Sequence, residues 1–148
     1  MWVPNRSALP IERNGLDALS GATRIAVANP RHAPYGKAAE AALRGAGLWD
    51  SVSPKLALGE NVAQAAQFVQ SGAADAGIIA KSLALAPAMR TTGRFWEVPE
   101  NAYPPLTQGG LILPWAASRP GAAGLRDYLL SGEGRQLLAS HGFGLAAR

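Results

Sequence analysis

The chain contains no cysteine in its 148 residues. Disulfides, thiolate nucleophiles and cysteine-based zinc sites are therefore excluded, and the redox compartment stays open. No apolar run approaches the ~20 residues that a membrane-spanning helix requires. The net charge is +4, yet Lys and Arg are scattered. Without a clustered basic footprint, that excess does not point to nucleic acid. Only two histidines occur. No cluster of His, Asp or Glu has the spacing of metal ligands, so no cation site is expected. The glycines at 36, 45, 47, 59 and 72 punctuate helices and loops without forming a Walker or dinucleotide fingerprint. No segment repeats at a fixed period. Trp2, Trp49, Trp96 and Trp115 are too dispersed for a stacking platform, so core or hinge packing is their expected role. Met1-Trp2-Val3-Pro4-Asn5-Arg6 has neither the basic nor the apolar region of a signal peptide. The chain as written is expected to stay in the cytoplasm. Trp2-Val3-Pro4 reads as the end of a strand, which suggests an N-terminal truncation.

Charged residues are 16% and apolar ones 48%, the balance of a globular chain long enough for one domain with a core. The most informative stretch is Asn29-Pro30-Arg31-His32-Ala33-Pro34-Tyr35-Gly36-Lys37-Ala38-Ala39-Glu40. It follows the strand-like run Arg24 to Ala28 and opens a helix. Pro34 suits a first helical turn, where its missing N–H costs little. Ala38, Ala39, Ala42, Leu43 and Ala46 fall on one face, and Gly45 and Gly47 end the helix. Leu48-Trp49-Asp50 and Ser53-Pro54 read as a connection. Lys55 to Leu58 is a second short strand, followed by Gly59-Glu60-Asn61-Val62 and a second helix. Glu60 and Asn61 are its expected caps. Val62, Ala65, Ala66 and Val69 form its apolar stripe, and Gly72 stops it. Val62 reads as a core residue by its side chain, and Asp75 as a turn residue. Asp75 to Ala80 is a third, buried strand. Residues 24 to 80 thus read β-α-β-α-β, with parallel strands and ligands outside their carboxyl ends. The two junctions present two helix N-termini, whose unsatisfied N–H groups and macrodipoles favour an anion.

Beyond Ala80, Lys81 to Met89 is a short helical piece interrupted by Pro87. Arg94 to Val98 is a strand candidate, Tyr103-Pro104-Pro105-Leu106 a stiff extended link, and Gln108 to Leu113 a strand ended by Pro114. Two helices follow, at about 121 to 130 and 132 to 140. Leu125, Tyr128 and Leu129 stripe the first; Leu137 and Leu138 stripe the second. Phe143 is the expected anchor of the tail. His32 reads as a loop histidine, solvated or bonded to backbone, and His141 as a helix-end residue near the last carbonyls. Ser82, His32 and Asp75 make no convincing triad, because no nucleophile-elbow pattern surrounds Ser82. The expectation is a protein that is not an enzyme, with no catalytic residues and no cofactor.

Asn29-Pro30-x-His32-Ala33-Pro34-Tyr35-Gly36, Leu48-Trp49-Asp50, Gly59-Glu60-Asn61-Val62, Ala65-Ala66-Gln67-Phe68-Val69, Gly72 to Ile79, Pro99-Glu100-x-x-Tyr103-Pro104-Pro105 and Tyr128-Leu129-Leu130-Ser131-x-Glu133-Gly134 occur in this order. In these motifs the chain resembles the periplasmic molybdate-binding proteins of molybdate ABC transporters, along essentially its whole length. The resemblance implies a type II periplasmic-binding-protein-like α/β fold. That fold has a βαβαβ core in a mixed sheet, mainly the second lobe, plus hinge strands and the C-terminal helices of the first lobe. It divides the chain into a hinge strand and linker (1–23), a second lobe with an anion-binding edge (24–106), and a return hinge strand with C-terminal helices of an incomplete first lobe (107–148). The serine- or threonine-bearing loops of the family's first lobe have no counterpart here. Leu111, Leu113, Leu125 and Leu129 are then expected to lie exposed, with self-association through that region.

Two positions carry over from the family. Tyr35 matches an oxyanion contact through its N–H and hydroxyl, and Val62 matches another through its N–H. Some relatives place a tyrosine where this chain has Ala80. The implied function is that of the solute-binding component of an ABC importer, taking molybdate or tungstate and handing it to a membrane permease. The full-length family is periplasmic. The alternatives are another small oxyanion, such as sulfate, or a cytoplasmic ligand-sensing module.

Overall fold

Ile25-Ala26-Val27-Ala28 carries no polar side chain. In the computed structural model, which describes residues 1–144, this run is buried throughout. With β1 at Trp2–Pro4 and β2 at Ile25–Ala28, the later strands are β3 (Leu56–Gly59), β4 (Ala76–Ile78) and β5 (Gly93–Phe95). The five form one mixed sheet in the order β3-β2-β4-β1-β5. β3 and β4 flank β2 in parallel, with Ile25 opposite Leu56 and Ala76. β1 runs antiparallel to both β4 and β5.

The helices are α1 (Ile11–Asn14), α2 (Pro34–Gly45), α3 (Trp49–Val52), α4 (Val62–Ser71), α5 (Lys81–Leu85), α6 (Pro87–Arg90), α7 (Pro120–Leu130) and α8 (Gly132–Ser140). The expected βαβαβ unit is present, with α2 between β2 and β3 and α4 between β3 and β4. Successive residues of a strand face opposite sides of its sheet. Ile25 and Val27 share one cluster with Ala39, Ala42 and Leu43 of α2. Ala26 shares the other with Ala65, Ala66 and Val69 of α4. The two helices therefore cover opposite faces of the sheet. Gly72 ends α4 with φ 83°, a left-handed conformation that a side chain would strain.

Several sequence readings are corrected. Ala46 is exposed rather than part of the α2 stripe, because the helix ends before it and its face has nothing to cover. The stretch 48 to 54 is largely helical rather than a plain connection, since α3 runs into a 3-10 turn at Ser53–Lys55. Among the described residues Gln108 to Leu113 forms no strand, and Leu111 is 78% exposed. Trp115, 69% exposed, packs into no core. β1 itself lies between β4 and β5, with Trp2 and Val3 buried, and Ile11, Leu16 and Leu19 are buried as well.

The chain divides into two compact units, Met1–Leu106 and a second from Thr107 on. In the second, α7 and α8 pack on each other. Ser131 caps α8 by accepting from the Gly134 N–H at 3.1 Å. His141 closes α8, its Nδ1 2.9 Å from the Leu137 carbonyl. Leu113, Leu125 and Leu129 are exposed along with Leu111. Residues 145–148 of the expected segment 107–148 lie outside the described residues. Among the described residues no helix is long and apolar enough to cross a membrane.

Candidate functional site

β2 and β3 are parallel neighbours whose following helices leave for opposite faces. In open α/β sheets ligands lie outside the carboxyl ends of the strands, the edge at which both helices begin. The Asn29 N–H donates to the Gly59 carbonyl at 2.7 Å, which carries the pairing one step past Ala28. The loops beyond it, Pro30 to Ala33 and Glu60 to Asn61, stand side by side as two walls at this edge.

Each wall ends in a helix N-terminus. On the first, the Asn29 side chain accepts from the Arg31 N–H at 3.0 Å, and its carbonyl accepts from Ala33 at 2.9 Å. These bonds curl the chain so that Pro34 enters α2 at its first position. Pro34 has no N–H, so the first amide of α2 is that of Tyr35. On the second wall, Asn61 accepts from the Gln64 N–H at 3.0 Å, and Gln64 Oε1 accepts from the Glu60 N–H at 2.7 Å. This is a capping box drawn back by one residue. It leaves the N–H groups of Val62 and Ala63 in the first turn with no partner inside the helix. Tyr35 and Val62 thus open helices at the same edge of the sheet. Val62 is only half buried and belongs to neither core, contrary to its reading as a core residue.

Two glycines set how closely the walls approach the strands. A Cβ on Gly36 would drive into the Ala28 carbonyl oxygen, and one on Gly59 would lie 2.8 Å from the Ala65 nitrogen. Helix propensity alone favours alanine over glycine by ~1 kcal/mol. At Gly36 the obstacle is backbone and cannot swing away, so Gly36→Ala should instead cost about 2 kcal/mol in urea unfolding. Gly45→Ala is the control. Nothing lies within 4 Å of the added methyl, and a gain of about 0.5 kcal/mol is expected.

The sequence reading missed the neighbours of Tyr35. Tyr103, half buried, has its phenol pushed up chiefly by burial, then by the carboxylates of Glu100 and Glu97 and by Tyr35, with Lys81 opposing. The phenol therefore stays protonated, a hydroxyl donor beside Tyr35. Lys81, just past β4, is held by Glu97 at 2.7 and 2.9 Å. Only the placement of the Tyr103-Pro104-Pro105 link after β5 brings these groups to the edge, and no local motif announces it. Ala80, at the same edge, is buried.

The imagined triad is dismantled by placement. Asp75 sits at the amino ends of the strands, where Oδ2 accepts from the Thr23 and Arg24 N–H groups at 2.8 and 2.9 Å. His32 is at the carboxyl ends, with Nε2 3.0 Å from the Glu60 carbonyl. Among the described residues no group of three or more His, Asp or Glu could hold a metal ion.

A family model described as bacterial extracellular solute-binding protein matches residues 1–144. The molybdate-binding protein ModA of Azotobacter vinelandii is 37% identical over 121 residues, covering 82% of this chain and 48% of that protein. ModA of Rhodobacter capsulatus is 30% identical over 119 residues, covering 80% and 46%. The chain spans about half the length of these curated relatives. The solved periplasmic molybdate-binding protein of Azotobacter vinelandii superposes with a TM-score of 0.83 at 27% identity, over 99% of this chain and 64% of that one. The mixed-sheet α/β architecture is that of the periplasmic-binding-protein fold, as the resemblance implied.

Proposed function

Because the chain belongs to the bacterial extracellular solute-binding proteins, we propose that it is part of the solute-binding component of a periplasmic ABC importer, a binding protein rather than an enzyme, with molybdate or tungstate as its solute. The observation that carries the proposal is the pair of helix N-termini, at Tyr35 and Val62, on neighbouring loops at the carboxyl edge of β2 and β3. The naming of the ModA relatives as molybdate-binding supports the choice of ligand. In this reading residues 24–106 are the anion-binding lobe, and a membrane permease receives the solute.

The chemistry suits the ligand. A tetrahedral oxide dianion has acceptor oxygens and no donors, so N–H and O–H groups are its complete complement. Phosphate at neutral pH retains a proton, which would meet another donor in such a site. The Tyr35 and Val62 amides and the Tyr35 hydroxyl supply donors without a full charge on either residue. Each helix terminus contributes ~0.3–1 kcal/mol to an exposed anion and up to ~2 when partly buried. Two of them at the upper figure come to ~4 kcal/mol, roughly millimolar binding by this chain alone.

Amide chemical shifts followed during titration with sodium molybdate test the assignment. Shifts centred on Tyr35 and Val62, larger than those with phosphate, are expected; a response confined to other residues would refute it. Val62→Pro is the sharper probe. Pro is welcome at a first helical position, and Asn61 already has the extended backbone that precedes a proline, with φ −149° and ψ 175°. The variant should fold and bind about tenfold more weakly, having lost one hydrogen bond to a charged group. Tyr35→Phe should lose a similar amount if its hydroxyl reaches the anion, whereas Val62→Ala should bind as the parent does. Sulfate competing on equal terms with molybdate would move the assignment to a general oxyanion carrier.

A further inference from the structure

The two walls, the β2–α2 and β3–α4 loops, lead to helices on opposite faces of the sheet. At their inner end they are joined by the Asn29–Gly59 backbone hydrogen bond, the last of the ladder. Farther out a single side chain spans them. His32, on the first wall, places Nε2 3.0 Å from the carbonyl oxygen of Glu60 and 3.4 Å from its carboxylate, on the second wall. The partners are 28 residues apart in sequence. A carbonyl oxygen only accepts, so Nε2 carries the hydrogen.

The acceptor matters more than the bond's strength. In a trans peptide the C=O and the following N–H point in opposite directions within one plane. A Glu60 carbonyl drawn toward His32 therefore turns the Asn61 N–H away from it. The Glu60 N–H is fixed as well, by Gln64 Oε1 at 2.7 Å. Both peptide planes around Glu60 are thereby set, and Val62 begins its helix two residues later. We propose that His32 is a positioning residue for the oxyanion site: its ring ties the β2–α2 loop to the β3–α4 loop and fixes the direction of the amides at the start of α4. The inference rests on the oxyanion reading above.

About half of the His32 side chain is exposed. Such a bond adds little to global stability, so its loss should be felt locally. His32→Ala and His32→Gln in the 148-residue chain separate the possibilities, because a Gln side-chain amide can reach and donate to the same carbonyl. The readouts are amide hydrogen exchange at residues 60–63, the urea midpoint, and the molybdate dissociation constant from amide-shift titration. For His32→Ala we expect exchange at 60–63 to quicken and molybdate affinity to fall about three- to tenfold, with the urea midpoint nearly unchanged. His32→Gln should restore both.

Unchanged exchange at 60–63 in His32→Ala would overturn the proposal. An affinity loss without faster exchange would also overturn it, because the ring would then act on the anion directly. A general loss of protection across the sheet, unrelieved by Gln, would make His32 a structural residue only and equally end the idea. If the parent chain shows no molybdate response, the oxyanion reading fails on its own. The exchange data then decide whether His32 holds the two loops together.

Discussion

Replacing Trp2 with alanine should cost about 3–5 kcal/mol of folding stability, near the top of that range. The indole is 1% exposed in the cluster that α4 covers, and Nε1 donates to the Met89 carbonyl at 3.3 Å. The site cannot close over the gap. A Cβ at Gly93, on the neighbouring strand, would overlap the indole, so the glycine leaves room for the ring and has no side chain to fill the void. The Met89 carbonyl keeps the Thr92 N–H at 3.3 Å as a donor, so the penalty is one of packing. Small domains are stable by about 5–15 kcal/mol in all. Urea unfolding should therefore show Trp2→Ala with little or no folded baseline at 37 °C, and Trp2→Phe between it and the parent. A loss below about 1 kcal/mol for Trp2→Ala would mean the ring is not the keystone of that cluster.

The second large effect is a pH dependence of the 148-residue chain. The amino group of Met1 is buried and donates to the Trp96 carbonyl at 2.7 Å. Burial lowers its pKa from 8.0 to about 5, with Glu97 opposing the shift. Between these values the unfolded chain holds a proton that the folded chain does not, so unfolding takes one up. Stability must then rise with pH across the window, full above pH 8 and smallest below pH 5. At about 1.4 kcal/mol per unit, the swing from this group approaches roughly 4 kcal/mol. Urea midpoints at half-unit intervals from pH 5 to 8.5 measure the slope. A ¹⁵N resonance of the Met1 amine that titrates near its ordinary value in the folded chain would contradict the buried neutral amine.

How much could be read in advance depended on whether the signal was local. β2, β3 and β4 were legible because each is a short apolar run between turn-forming residues. α2 and α4 were legible from their stripes, from Pro34 and Asn61 at their starts, and from Gly72 after α4. The same rule misled at Gln108 to Leu113, where Leu111 and Leu113 alternate as in a strand but the described residues form none there. Pairing is a property of two segments, and one segment's pattern cannot supply it. The candidate site divides in the same way. Helix starts at Tyr35 and Val62 follow from local sequence. The approach of Tyr103 to Tyr35 and the reach of His32 to the Glu60 carbonyl do not, since a backbone acceptor 28 residues away leaves no mark on composition or spacing. The interior position of β1 was hidden for the same reason, its partners lying at 77 and 93–95.

That interior position governs the order in which the sheet can be made. Trp2, Val3 and Pro4 leave a ribosome well before their partners on β5, which are Phe95, Arg94 and Gly93. At a synthesis rate of about 5–20 residues per second, the first strand waits roughly 5–20 s for them. The parallel strands β2, β3 and β4 can pair during that interval, and β1 joins them late, as the strand that completes the sheet. Closing so long a loop is slow compared with local pairing. Until then Trp2 is an unsheltered aromatic on a nascent chain, and the time before Phe95 emerges is when the protein is most exposed to aggregation.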